Sequence, residues 1–403
     1  MTRSIVPSPL LLMCWMLVAC SSPPPAAPKE PMPTTAAAQP PSTTSAATPD
    51  ASTGAGTPAS PTAAPAAPAA PASPTVPPAP PTKTLAAIDV FGARHASADE
   101  IIATSGLVVG SQLVFGSEEF GEQMKAANDR LKQRYHFPFV EVSPISYFAS
   151  SPDAGKVFIT IDVVEREDAA RLKFAPEPSK DVPDPDGLIA AWLAYEEALW
   201  PLQRSGELRP PFTCKGGMHC ALGFNHPQLE HMEDAFIEKT PGRMKELTAV
   251  LRGDRQANRR AAAAFVLAYG KDRKQVVDAL LPSIDDPNAS VRNNVVRVLV
   301  MIQQDADTVV VPLKAALHAL RFPTTTDRNK AGYLLANIAE HASPAERMRI
   351  AREAGDTLIA MAAMQQPNNR DPAIKILEAI SGETHGTDAV AWRAWLKQQR
   401  ARK

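Results

Sequence analysis

Five side chains able to hold a metal fall within eighteen residues: Cys214, His219, Cys220, His226 and His231. Two thiolates and two imidazoles are enough for tetrahedral zinc. The adjacent His219 and Cys220 do not easily share one ion, and the spacings match no common zinc-finger pattern. Gly216-Gly217 lets the chain turn back between the cysteines. In an oxidising compartment the default is then a disulfide between Cys214 and Cys220. Loop entropy gives so short a ring about 2 kcal/mol. A free or intermolecular thiol is the remaining alternative. The two-residue spacing of redox-active pairs is absent. So are a phosphate-cradling glycine loop, a GxSxG elbow and an HExxH pair. Glu118-Glu119 and Glu196-Glu197 read as exposed helix faces. The chain is therefore read as no enzyme, without a cofactor. The alternative is an enzyme or zinc metalloprotein centred on residues 214–231.

The other two cysteines lie at the start, in MTRSIVPSPLLLMCWMLVAC. The apolar run over residues 10–19 is shorter than the about 20 residues that span a bilayer. It fits the hydrophobic core of a secretory signal, with Arg3 as its positive start. Leu17-Val18-Ala19-Cys20 resembles the bacterial lipobox. That resemblance implies removal of residues 1–19, diacylation of Cys20 and, with Ser21 next, sorting to the outer membrane, facing the periplasm. Several acyl chains suffice for stable anchoring. Residues 21–84 are nearly all Pro, Ala, Ser and Thr, with four charges and no aromatic. Such a segment buries too little apolar surface to offset chain entropy, so it reads as a disordered tether. Fully extended at about 3.1 Å per residue, it reaches about 200 Å.

With 403 residues, 40 prolines and 6% aromatics, the chain exceeds one domain. Its net charge of -1 excludes a basic nucleic-acid binder. Residues 85–173 read as a small α+β domain in the order β-α-α-β-β. A strand over 85–90 precedes Ser97-Ala98-Asp99-Glu100, a capping box that starts a helix. Ser117 caps a second helix, with Phe120, Met124, Ala127, Leu131 and Tyr135 on one face. Residues 139–147 read as a strand that Pro144 confines to a sheet edge. Val157, Ile159, Ile161 and Val163 alternate with Phe158, Thr160, Asp162 and Val164, the pattern of a half-buried strand.

That order resembles a POTRA domain, the periplasmic module of outer-membrane assembly proteins. Val90-Phe91-Gly92, the turn Ser105-Gly106-Leu107, the run Tyr135-His136-Phe137-Pro138-Phe139-Val140 and Val163-Val164-Glu165 carry the likeness. The family's glycine before the second strand's aromatic is replaced by Phe137-Pro138. The resemblance implies that a client strand adds to the edge formed by Phe139, Val140, Glu141, Val142 and Tyr147. The competing reading is that Pro144 only guards that edge against aggregation.

Four prolines over 174–185 read as a linker, and residues 186–240 as a helix and a Cys-bearing loop leading into the last domain. Asp186 is expected to cap the helix over 187–203, whose Trp192 and Trp200 point to packing on that last domain. Residues 241–403 read as helical repeats. Segments 253–270, 286–303 and 322–339 align without gaps and place Arg259, Arg292 and Arg328 in register. A helix precedes each, over 245–251, 275–284 and 310–320. Ser343-Pro344-Ala345-Glu346 opens a further pair, and a helix over 388–399 with Trp392 and Trp395 caps the stack. The pattern resembles HEAT repeats, with Asp286…Arg292 matching their Asp-to-Arg ladder, although Gly253 and Phe322 replace that aspartate elsewhere. Such solenoids bind rather than catalyse. This region holds 25 Lys+Arg against 17 Asp+Glu. That excess suits an anionic partner, or reflects internal ladder arginines and a solvated face. The whole reads as an envelope adaptor with protein partners, held to the membrane by lipid and contacting no nucleic acid.

Overall fold

The computed structural model describes residues 81–147, 151–208 and 211–401. The expected signal peptide, Cys20 and the tether up to residue 80 lie outside the described residues. No helix among the described residues is long and apolar enough to cross a membrane.

The first element, β1 (Thr82–Phe91), starts three residues before the expected strand. Its extra residues pair with a strand the sequence reading missed, β2 (Gln112–Val114). Three residues are too few to show a period of two. Between them lies α1 (Ala98–Ser105), opened by the Ser97/Glu100 capping box. Then come α2 (Glu118–Tyr135), β3 (Phe139–Ser146) and β4 (Lys156–Val164). The expected β-α-α-β-β order becomes β-α-β-α-β-β. The strand order is β2-β1-β4-β3, with β1 parallel and β3 antiparallel to β4. As the spacing predicts, α2 buries Phe120, Met124, Ala127 and Leu131. They pack with Leu85, Ile88, Val142, Ile159 and Ile161 from one face of the sheet.

The opposite face is not solvated. Phe158, Thr160, Asp162 and Val164 are all buried, so β4 is covered on both sides rather than half-buried. What covers it is the helical region. The chain passes through a 3-10 turn (Arg166–Leu172). Residues 174–185, read as a linker, run along the repeats: the Ala175 N–H donates to the Asp285 carbonyl at 2.7 Å, and the Arg255 N–H to the Lys180 carbonyl at 2.7 Å. Helix α3 comes next (Leu188–Ser205). Its cap is Asp184, which accepts from the N–H groups of Ile189 and Ala190 at 2.9 Å each. Asp186 instead takes a left-handed conformation and pairs with Arg243 at 2.7 Å. Both aspartates precede the helix, and local sequence does not distinguish them.

The remaining helices are α4 (Glu233–Lys239), α5 (Met244–Gly253), α6 (Ala257–Leu267), α7 (Arg273–Leu280), α8 (Ala289–Gln304), α9 (Leu313–Ala319), α10 (Thr325–His341), α11 (Pro344–Ala362), α12 (Pro367–Ser381) and α13 (Ala389–Ala401). Helices α6, α8, α10 and α12 lie side by side, and α5, α9 and α11 pack on them from a second layer. Residues 260–267 of α6 are all buried because α3, α5 and α8 surround that helix. The four alanines Ala261, Ala262, Ala263 and Ala264 permit that approach. Helix α13 closes the end of the stack with buried Trp392 and Trp395, as expected. The described residues belong to one compact unit.

Candidate interaction surface

The arginines of the repeats form a buried ladder, but not with the predicted members. Arg260, Arg292 and Arg328 each turn one Nη1 onto carbonyls of the loop before their own helix: Asp254 and Arg255, Asp286 and Pro287, and Pro323. Each also grips a carboxylate from a neighbouring element. Arg260 takes Asp286 at 2.8 and 2.9 Å. Arg292 takes Asp327 at 2.7 Å. Arg259, the residue the gap-free alignment chose, pairs with Asp254 of its own loop at 2.9 Å. The first copy is therefore displaced by one residue, and Asp254 rather than Gly253 holds the loop position. Two adjacent arginines made the alignment degenerate. In the third copy the carboxylate has moved from the Phe322 position into the helix, to Asp327.

The third rung leaves the repeats. Arg328 grips Asp162 of β4 at 2.5 Å, and both side chains are 0% exposed. The same carboxylate accepts the Thr325 N–H at 2.7 Å, at the start of α10. On β1, Asp89 accepts the N–H groups of Gln365 and Gln366 at 2.8 and 2.9 Å, at the start of α12. Two sheet carboxylates thus satisfy helix N-terminal donors and meet the positive ends of two helix dipoles. Phe91 lies 3.7 Å beneath the Arg328 guanidinium, and Gln366 donates to the Tyr147 hydroxyl at 3.3 Å. The sheet sits over the N-terminal ends of α10 and α12.

This seat decides what β3 can offer. It is an edge strand, as predicted, with β4 its sole described strand partner. Val140 and Val142 face the helices α1 and α2 and are buried. Phe139, Glu141 and Tyr147 alternate onto the seated face, where Tyr147 is buried with Ile145 and Phe158. Both side-chain rows are therefore covered to some degree by the chain's own elements. What this edge leaves without a second described strand partner is its backbone. Pro144 withdraws one N–H from the strand.

At the far end of β4 a cleft of about 370 Å³ is lined by His95, Glu100, Tyr135, His136, Glu165 and Glu167, among others. Glu165 is nearly buried and accepts the N–H groups of Arg94 and His95 at 2.8 and 3.1 Å. Its other oxygen meets His95 Nδ1. Among the described residues, His95, Glu165 and Glu167 are the group able to offer a metal three ligand atoms, all within 4.8 Å of one another. Burial pushes the Glu165 carboxyl up, but the two N–H donors and the imidazole outweigh it and hold the pKa below 4.5. The hydrogen bond and charge of Glu165 in turn raise His95 above 6.5. A raised folded-state value stabilises below 6.5 and is lost as pH rises through it. An NMR titration is expected to place His95 above 6.5, and Glu165→Gln to bring it back down. An unchanged midpoint in that variant would show that Glu165 is not the cause.

Near residue 220 the expected disulfide is present, and the five side chains weighed as zinc ligands do not form a metal group among the described residues. The structure joins Cys214 to Cys220 with Cα atoms 5.9 Å apart, so neither offers a thiolate. His219 is buried against Phe265. Burial drives its pKa well below 6.5 and keeps it neutral. The His226 ring accepts the Gln228 N–H at 3.2 Å. The disulfide loop serves as packing. Its Met218 N–H donates to the Ala268 carbonyl at 2.8 Å. A Cβ on Gly217 would stand 2.8 Å from the Tyr269 ring, so only glycine fits there. Buried Glu233 of α4 accepts the Lys215 N–H at 2.8 Å and the Tyr269 hydroxyl at 3.2 Å. Sequence reasoning missed Glu233, which looks like any acid in a first helical turn. Glu196, read as exposed, is partly buried and accepts from the Trp192 indole N–H at 3.0 Å.

Residues 244–321 match the family model described as HEAT repeats, covering α5 to α9 and the loop after it. No curated protein and no solved structure matches the chain.

Proposed function

We propose that this chain is a lipid-anchored adaptor of a bacterial cell envelope. Its Cys20 carries the acyl chains, residues 21–80 act as a spacer, and the sheet is a POTRA-like module that takes a client strand. HEAT repeats are commonly protein-interaction scaffolds, which supports a non-catalytic role. One observation carries the reading: the sheet's inner face is locked to the repeats while β3 keeps an outer edge without a described strand partner. A strand held rigidly at its back and open at its side suits β-augmentation, where backbone hydrogen bonds supply affinity. With both side-chain rows largely covered, selectivity for clients would be modest. The parallel β1/β4 and antiparallel β3/β4 pairings around two helices support the POTRA likeness.

The address is tested by metabolic labelling with a clickable fatty acid, followed by membrane fractionation. Wild type is expected to be labelled and sediment with the outer membrane, and Cys20→Ala to be unlabelled and soluble. If both are unlabelled and soluble, the anchored-adaptor reading falls. Capture of a strand-donating client on the wild type, lost when the β3 edge is blocked, tests the second half.

A further inference from the structure

The seat beneath the sheet holds an acid that no arginine grips. Glu141 on β3 stands directly opposite Asp162 on β4, on the face pressed against the helices. Cross-strand neighbours of like charge repel. From α10 come Asp327 and Arg328, and from α8 Arg292, with Arg171 of the 3-10 turn also near Asp162. Both nearer guanidiniums are committed: Arg328 to Asp162 at 2.5 Å and Arg292 to Asp327 at 2.7 Å. Arg171 spends its Nε–H on the Arg321 carbonyl at 2.8 Å. Of the three carboxylates, Asp162 and Asp327 each hold an arginine in a salt bridge, and Glu141 is the one without an arginine of its own.

We propose that Glu141 is an acid-closed latch: its neutral form lets the sheet seat on the helix ends, and its charged form loosens the seat and the β3 edge with it. The regulation of that edge rests on β3 being the presenting strand. The seat itself does not. Burial is the largest influence on Glu141, followed by repulsion from Asp162 and Asp327; Ser143 and Arg292 oppose them only in part. Together they raise its pKa from 4.5 to about 7. Burial raises the Asp162 carboxyl too, but its salt bridge to Arg328 and the Thr325 N–H favour its charged form, and Glu141 has neither. With the closed-state value above the open-state one, the stabilisation is full below 4.5. It fades as pH rises, and it is gone above about 7.

The experiment is amide hydrogen exchange on the full chain, corrected for intrinsic rates, at pH 5 and pH 7.5. In wild type, opening at β3 and at the Thr325 amide is expected to rise on the order of 50-fold between these values. In Glu141→Gln, which stays neutral, it is expected to stay flat. A flat wild type, or a variant as steep as wild type, overturns the latch. Should the variant not fold, carbon-13 titration of the Glu141 carboxyl in wild type decides: a midpoint near 7 supports the latch and one near 4.5 ends it. No client is needed, so failed client capture would leave these outcomes untouched.

Discussion

Asp162→Asn is expected to destabilise the protein by about 3–5 kcal/mol, read as a lower urea midpoint at unchanged slope. The variant keeps the shape and an acceptor for the Thr325 N–H. It leaves Arg328 with 0% exposure and no counter-charge. A guanidinium keeps its proton in a protein. It must then be pulled towards water, and the sheet lifts from the helix ends. The opposite change, Arg328→Met, is expected to cost a similar amount by stranding Asp162. The double variant Asp162→Leu with Arg328→Met should recover most of the loss, since buried ion pairs are often no better than well-packed apolar groups. A double-mutant cycle measures the coupling. If Asp162→Asn leaves the midpoint where it was, the sheet is not held by this pair.

Trp192→Ala is the second large effect, about 3–5 kcal/mol. The indole has 0% exposure and stands at the centre of an aromatic cluster. It stacks on Phe265 of α6 with centroids 5.1 Å apart, tilts against Phe236 at 5.4 Å and Tyr195 at 5.0 Å, and meets Phe224 edge-on. Helix α3, the disulfide loop, α4 and the first repeat all converge there. Its removal leaves a large cavity that no neighbour can fill, because α6 is an alanine-rich helix fixed on several sides. Trp200 is only partly buried on the same helix and tests the point. Trp200→Ala is expected to cost clearly less, and equal costs would contradict the cluster's role.

Local signals in the sequence were read well where the physics is local. Ser97 with Glu100 and Ser343 with Glu346 form capping boxes three residues apart, and both are present. The apolar face of α2 comes from a period of 3.6. The edge position of β3 comes from a proline that cannot donate. The rest failed for identifiable reasons. Arg259 and Arg260 are adjacent, so only the loop geometry chooses between them. Asp184 and Asp186 both precede α3, and the turn's backbone decides which one caps. The reading at Cys20 remains a statement of sequence, since residues 1–80 lie outside the described structure.

By itself, then, the sequence determined the longer elements of the sheet domain, though not the three-residue β2, because caps, turns and hydrophobic periods are set within a few residues. It also showed repeats, since a recurring helix pair leaves a recurring pattern. Only the tertiary structure decided that the sheet seats on the N-terminal ends of two helices of the array. Asp162 and Arg328 are 166 positions apart, and Asp89 and Gln366 are 277 apart. No local rule links such residues. A polar residue alternating along a strand looks the same whether it meets water or a buried arginine. The burial of β4 on both faces, the crowding of Glu141 against two other acids and the closure of the disulfide loop onto α6 all arise from that assembly.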